Sequence, residues 1–329
     1  VPGVRVGHCT VQEPPDVHPG VTAVVPAGTG PTPHGRLPAG LFAGNGYGKL
    51  VGATQLAELG QLESPVVLTS TLSAFRAADA VVSWMLGRAD CADVQSFNPV
   101  VGECNDGYLS DIRARPVRAE HVREAINEAS GGPVTEGCVG AGTGTCALGF
   151  KAGIGTASRR VELGGTGETV TLGVLLQANF GGTLRVGGVP VEPPAAEPSA
   201  AGPPDDGSCM IVVATDAPLD ARQLTRLARR AVFGLARAGA SYSNGSGDYA
   251  IAFSTAAARA GQRGAEPVAD HHLDPLFGAA LAAVEESVLN ALCAAITVTG
   301  RLGRTAHAVP HARLHALAAG HGTGRPFPR

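Results

Sequence analysis

Apolar and polar positions recur along this chain with periods that place most of its elements. Val170, Leu172, Val174 and Leu176 occupy alternate positions, which predicts a half-buried strand from Glu168 to Asn179. Short β-branched runs predict further strands at Val4–His8, Val21–Val25, Leu41–Gly46, Pro65–Thr69 and Tyr249–Phe253. Ala74, Ala78, Val81, Val82 and Met85 recur at helical spacing, so 73–86 reads as a helix. A second helix runs from Ala119 to Ala129 and stops at Gly131-Gly132. Leu224, Leu227, Ala228, Ala231 and Leu235 make one stripe on a third, which Asp220 caps and Gly239 ends. Asp274-Pro275 opens a fourth, with Phe277, Leu281, Val284, Val288, Leu292 and Ile296 as its buried face.

The pattern breaks once, between two strands. Val189-Pro190-Val191-Glu192-Pro193-Pro194 leads into Ala- and Pro-rich sequence that ends in Pro203-Pro204-Asp205-Asp206. After Gly207-Ser208 comes Cys209-Met210-Ile211-Val212-Val213-Ala214, a run suited to a buried strand. A flexible tether thus enters a core strand with a hydroxyl residue at the join. A Gly-Ser pair is ordinary turn material. Here it also has what a self-cleaving precursor needs, an accessible bond followed by a rigid mount. Breaking that bond would make the hydroxyl of Ser208 a nucleophile and its new α-amine a base.

Composition narrows the alternatives. With 44% hydrophobic and 16% charged residues the chain can bury a sizeable core. A net charge of −3 without a basic block gives nucleic acid or an anionic membrane no evident footing. No apolar run reads as a membrane span. Cytoplasmic placement is the expectation, with secretion left open because the sequence begins at Val1. Seven scattered cysteines with no CxxC pair argue against a disulfide framework or a structural zinc site.

Other chemistry-bearing motifs fall short. Gly140-Ala141-Gly142-Thr143-Gly144 lacks the full dinucleotide fingerprint and the acidic residue after it, so a tight loop lining a site is the reading, with no cofactor. Lys151 reads as a surface or loop charge. His307, His311 and His315 have metal-ligand spacing, but Pro310 interrupts the turn and no carboxylate accompanies them, so no metal is expected. No GxSxG elbow is present, which disfavours a conventional Ser–His–Asp hydrolase.

Several blocks together carry a resemblance. Asp206-Gly207-Ser208, Ile211 to Pro218, Leu227 to Ala231 and Ser243-Asn244-Gly245-Ser246-Gly247-Asp248 resemble the DmpA-type aminopeptidases. So do Val1 to His8, Gly149 to Arg159 and Val174 to Gly181 upstream. This family comprises the L-aminopeptidase/D-esterases and β-peptidyl aminopeptidases. The resemblance implies a four-layer αββα sandwich of α/β class, akin to the N-terminal-nucleophile hydrolases but differently connected. It implies one interwoven domain over 1–329, cut into 1–207 and 208–329, and a homo-oligomer of four subunits or more. By the same resemblance Ser208 is the nucleophile, Asn179 donates to the oxyanion, and Ser246 and Asp248 orient the Ser208 amine and hydroxyl. Glu103 then holds the substrate's free amino group. The family commonly has an aromatic residue two positions after that glutamate, where this chain has Asn105, which leaves the second oxyanion donor and the pocket shape open. The expected substrate is a small peptide, amide or ester, with β- and D-residues among the candidates. Two alternatives share the fold: an acyltransferase of the ornithine acetyltransferase kind, which typically uses Thr where this chain has Ser208, and an inactive small-molecule-binding protein.

Overall fold

The computed structural model describes residues 1–31, 35–165, 167–194, 207–256 and 267–321. The tether expected over 190–206 therefore lies mostly outside the described residues. In chain order the strands begin with β1 (Val4–Thr10), β2 (Gly20–Pro26), β3 (Leu37–Gly46), β4 (Gln61–Leu62), β5 (Val66–Ser70) and β6 (Val100–Cys104). The short β7 (Cys146–Ala147) and β8 (Phe150–Lys151) precede the long β9 (Ile154–Glu162) and β10 (Thr169–Asn179). After the hairpin of β11 (Arg185–Val186) and β12 (Val189–Pro190) come β13 (Ser208–Thr215) and β14 (Gly247–Ser254). The helices are α1 (Ala53–Leu59), α2 (Ala74–Leu86), α3 (Ala119–Asn127), α4 (Ala221–Ala238), α5 (Asp274–Cys293) and α6 (His311–His321).

Two sheets organise these elements. The smaller runs β1-β2-β5-β6 and the larger β4-β3-β14-β13-β10-β9. β13 and β14 are parallel neighbours at the centre of the larger sheet, with antiparallel β10 and β3 outside them. Two strands from after Gly207 are therefore flanked on both sides by strands from before it, and neither part could complete the sheet alone.

Alternation along β13 shows how the layers stack. Met210, Val212 and Ala214 pack with Val66, Leu68 and Val100 of the smaller sheet. Cys209, Ile211 and Val213 pack against Leu227 and Ala231 of α4 and Val284 and Val288 of α5. The far face of the smaller sheet meets α2 and α3 through Val67, Val101, Ala77, Val81, Val122 and Ile126. The order is helices, sheet, sheet, helices: the αββα sandwich. Every residue of β13 is buried because both faces of its sheet are covered. Close packing of the outer layer depends on small residues. A Cβ on Gly155 would run into the Ser287 carbonyl and Ala291 of α5.

Most elements lie where the pattern predicts them. The Asp220 side chain accepts from the Gln223 amide at 2.7 Å and Gln223 answers at the Asp220 N–H, a reciprocal cap at the start of α4. Three readings need correction. The helix opened by Asp274 ends at Cys293, leaving Ile296 beyond it and 66% exposed rather than on the buried face. At 20 residues and mean hydropathy 1.5 this helix is apolar and long enough to cross a membrane, yet half of it is buried against the sheet and α4. Lys151 is fully buried, not a surface charge, and its Nζ donates to the Gly142 and Ala152 carbonyls. β6 and β9 had no predicted counterpart. His307 precedes α6 across Pro310, so one helix face does not carry it together with His311.

Phe253 is fully buried between the two sheets. Phe253→Ala should lower the free energy of unfolding by about 3–5 kcal/mol, seen as a fall in the urea midpoint at unchanged slope.

Candidate active site

Ser208 is the first residue of β13, and its neighbours follow from register. It lies directly opposite Asn179 on antiparallel β10 and beside Gly247 on parallel β14. Side chains directly opposed across strands share a face, with Cβ atoms about 4.5–5.5 Å apart. Parity puts Ser208 with Met210 and Asn179 with Leu175, so both side chains face the space between the sheets. Asn179 is held from two sides. Its Oδ1 accepts from the Cys146 N–H at 3.0 Å, and its Nδ2 donates to the Asn105 carbonyl at 3.0 Å. A side-chain amide has two N–H donors, so that second bond leaves one for a ligand.

Gly207 is fixed by crowding. A Cβ there would collide with the Asn179 carbonyl, so only glycine fits against β10. The Gly207 carbonyl, whose bond to Ser208 nitrogen is the candidate for cleavage, accepts a hydrogen bond from the Gly247 N–H at 3.1 Å. A backbone donor on that oxygen polarises the carbonyl toward attack.

Ser208 and Gly207 form one wall of a cavity of about 470 Å³ whose other walls include Glu103, Asn105, Lys49, Thr71, Tyr47, Asn244 and Gly245. The Glu103 carboxylate is almost entirely buried. Its Oε1 accepts from the Lys49 amide at 2.9 Å and lies 3.5 Å from Lys49 Nζ, while Oε2 is buried without a hydrogen-bond partner among the described residues. Two loops forming the rim are pinned from below. The Tyr249 hydroxyl donates to the Gly46 carbonyl at 2.8 Å, and the Asn45 amide donates to the Ser243 and Ser246 carbonyls at 2.8 and 2.6 Å. A second cavity of about 330 Å³, lined by Val1, Val4, Val24, Leu175 and Val212 among others, is toward the opposite end of β13 and has no ionisable side chain in its walls.

Ser246 and Asp248 stand behind the cavity rather than in its walls. The Ser246 hydroxyl donates to Asp248 Oδ1 at 2.8 Å, and Oδ2 is buried without a partner. Asp248 pairs with Cys209, on the helix-facing side of the sheet, so it addresses the start of β13 from the face opposite the Ser208 side chain. Burial pushes its carboxyl up to about 6 against the opposing effect of the Ser246 hydroxyl. A second buried carboxyl, Asp106, lies next to the Asn105 carbonyl that holds Asn179. Burial raises it to about 7, although it accepts from the Ser70 hydroxyl at 2.6 Å. Cys104 and Cys209 flank the nucleophile, and burial raises both thiols well above their ordinary range. A raised thiol pKa disfavours a thiolate at either cysteine, so neither competes with the Ser208 hydroxyl as a candidate nucleophile.

Of the residues singled out in the sequence, the structure brings Ser208, Glu103 and Asn105 to one cavity and sets Asn179 directly opposite the serine, with Ser246 and Asp248 outside the walls. Sequence reasoning missed Lys49, Thr71 and Tyr47. The Asn45-Gly46-Tyr47-Gly48-Lys49 run at the end of a predicted strand was the available signal, since polar residues at a strand's end beside glycines commonly build sites. Tyr47 brings an aromatic ring to this cavity from a different loop, at a site where position 105 has none.

Comparison with known proteins places this geometry. The family model of peptidase family S58 matches residues 1–306. The chain belongs to that family. It is 42% identical over 328 residues to the beta-peptidyl aminopeptidase BapA of Sphingosinicella microcystinivorans, covering 92% of this chain and 80% of that one. Its fold superposes on a Burkholderia sp. beta-aminopeptidase with a TM-score of 0.85 at 39% identity, covering 99% of this chain and 94% of the other. The L-aminopeptidase D-Ala-esterase/amidase of Ochrobactrum anthropi, described as a variant of the Ntn hydrolase fold, matches with a TM-score of 0.85 at 38% identity over 98% of this chain and 93% of its own. The chain is accordingly a hydrolase of the aminopeptidase kind, which decides against the acyltransferase.

A carboxyl whose folded pKa exceeds its unfolded value of about 3.9 binds its proton more tightly in the native state, so stability falls as pH rises through that interval. For Asp248 and Asp106 the interval runs from the unfolded value to about 6 and about 7. In a Ser208→Ala chain these two carboxyls should make unfolding free energy decline from pH 4 to pH 7, against a partial rise from partly buried His8, whose imidazole is lowered by burial to about 4. Asp248→Asn should remove about 1–3 kcal/mol of that decline, measured by urea titration at the two pH values.

Proposed function

We propose that this protein is a self-processed serine aminopeptidase that cuts itself between Gly207 and Ser208 and then removes N-terminal residues from small peptides, amides and esters, β-linked residues included. The observation that carries this reading is the opposed pair Ser208 and Asn179, set on one face at the wall of a cavity that also holds Glu103.

In the precursor, Ser208 Oγ attacks the Gly207 carbonyl carbon. The C–N bond breaks, the hydroxyl proton passes to the departing nitrogen, and an ester joins Gly207 to Oγ. Water hydrolyses that ester, leaving a Gly207 carboxylate and a free Ser208 amine. The Gly247 N–H, already on the Gly207 oxygen, supports the negative charge that develops there.

In the mature enzyme the Ser208 amine, whose unperturbed pKa of about 8 lies near neutrality, takes the Oγ proton as Oγ attacks the substrate. The free N–H of Asn179 donates to the substrate oxyanion. In this reading Ser246 and Asp248, at the start of the neighbouring strand, hold the new ammonium from the face opposite the Ser208 side chain. Glu103 Oε2 receives the substrate's terminal ammonium, which restricts attack to the first residue. The relatives named as beta-peptidyl aminopeptidases support β-linked residues as substrates.

Intact-mass measurement tests the first step. Wild-type protein should give two pieces that divide between Gly207 and Ser208, and Ser208→Ala a single uncut chain. One uncut chain from both would sink the mechanism. For the second step, Asn179→Ala introduced without loss of cleavage should lower kcat by about 10²–10³ in steady-state assays on a β-alanyl amide.

A further inference from the structure

The cavity beside Ser208 holds two opposite charges, and the mechanism above uses only one. Lys49 Nζ donates to the Thr71 hydroxyl at 2.9 Å and lies 3.5 Å from Glu103 Oε1. The Lys49 side chain, in the cavity wall, is 39% exposed, whereas that of Glu103 is 2% exposed. A partly exposed surface ion pair contributes little to stability. Here one partner is buried with its second oxygen unsatisfied, and both line the space the substrate must enter. An ammonium entering at Glu103 brings its own positive charge close to that of Lys49. Such a substrate is disfavoured by repulsion unless it also brings a negative charge.

We propose that the site selects N-terminal residues that carry a free carboxylate on the same carbon as the free amine, with Glu103 holding the ammonium and Lys49 the carboxylate. This rests on the aminopeptidase reading of the site. Only a residue joined through its side-chain carbonyl leaves both groups free on one carbon. A β-aspartyl (isoaspartyl) peptide is the member of that class that is also a β-amino acyl unit, its amine carbon separated from the scissile carbonyl by one methylene. The short distance between Lys49 Nζ and Glu103 Oε1 suits two groups borne on a single carbon. An α-linked aspartyl residue sets its carboxylate one carbon further from the amine and brings the amine one carbon nearer the scissile carbonyl. In the reaction, Ser208 Oγ attacks the β-carbonyl, the amide C–N bond breaks, and the peptide amine departs with the Oγ proton carried by the Ser208 amine. Water then releases free aspartate from Oγ.

The test is steady-state kinetics of the processed wild-type enzyme and of Lys49→Gln on three dipeptides of L-residues: β-Asp-Leu, β-Ala-Leu and α-Asp-Leu. Wild type should turn over β-Asp-Leu with the highest kcat/KM. In Lys49→Gln that value should fall about tenfold or more, the effect of losing one charge-assisted contact. The β-Ala-Leu value should rise, because Glu103 no longer shares its oxygen with a cation. Opposite movement of two substrates in one preparation cannot come from a smaller folded fraction. The proposal fails if wild type cleaves β-Ala-Leu but not β-Asp-Leu, if α-Asp-Leu is preferred, or if the substitution moves both β-substrates together. Cleavage of none of the three would overturn the aminopeptidase reading itself, and this proposal with it.

Discussion

The register of β13 between β10 and β14 is the constraint on which the site depends. Ser208 opens that strand, so the pairing that holds the sheet together also sets this candidate nucleophile opposite Asn179 and beside Gly247. A slip of one residue would turn Ser208 toward the helices and bring Cys209 into the cavity. The slip is opposed along the whole strand. Met210, Val212 and Ala214 fill the space between the sheets, and Cys209, Ile211 and Val213 fill the space under α4 and α5. Core packing tens of atoms away is therefore what aims the hydroxyl, in keeping with catalytic groups being most accurately placed on strands.

Buried charge is concentrated around the same strand end. Glu103, Asp106, Asp248 and Lys151 are each almost wholly inaccessible, and Glu103 and Asp248 each keep one oxygen without a partner. Unpaired buried oxygens oppose folding, so their presence on both sides of the Ser208 end of β13 points to function rather than to a stabilising device. The environment divides these carboxyls by role. Asp106 is enclosed beside the Ser70 hydroxyl, Asp248 faces the helix layer through Ser246, and Glu103 alone looks into the cavity. A substrate ammonium would meet Glu103 first.

How much of this was legible in the sequence depended on whether a residue's role is local. The long helices α2 to α5 and the long strand β10 follow from periodicity, and the cap at the start of α4 from Asp220. Ser208 was legible because a tether meets a core strand there. Lys151 was misread because a lone lysine in a glycine-rich stretch gives no local sign that β8 tucks it beneath the Gly142 carbonyl. β6 was missed because Val100 to Cys104 is short and lacks alternation, being covered on both faces. Lys49 was missed for a different reason: its significance is its distance from Glu103, 54 positions away, which only tertiary structure supplies. The roles of Asn179, Glu103 and the Ser246–Asp248 pair came from the family resemblance, and a polar residue at a strand's end would otherwise read as a cap.

The crowding at Gly207 bears on why a candidate nucleophile and scissile bond would sit at a strand's first residue and not within a loop. The Gly207 carbonyl is held by the Gly247 N–H, and the Asn179 carbonyl leaves no room for a Cβ at Gly207, so the bond preceding Ser208 is clamped between β10 and β14. A loop residue would have neither contact, and its carbonyl would rotate freely into water. Cleavage at this position would leave the Ser208 to Thr215 ladder intact, because the hydrogen bonds of β13 lie on the far side of that bond. The new amine would arise at the end of a strand already fixed on both edges and both faces. A nucleophile generated there needs no further ordering before it can meet a substrate, which is the entropic advantage of carrying the base on the nucleophile's own backbone.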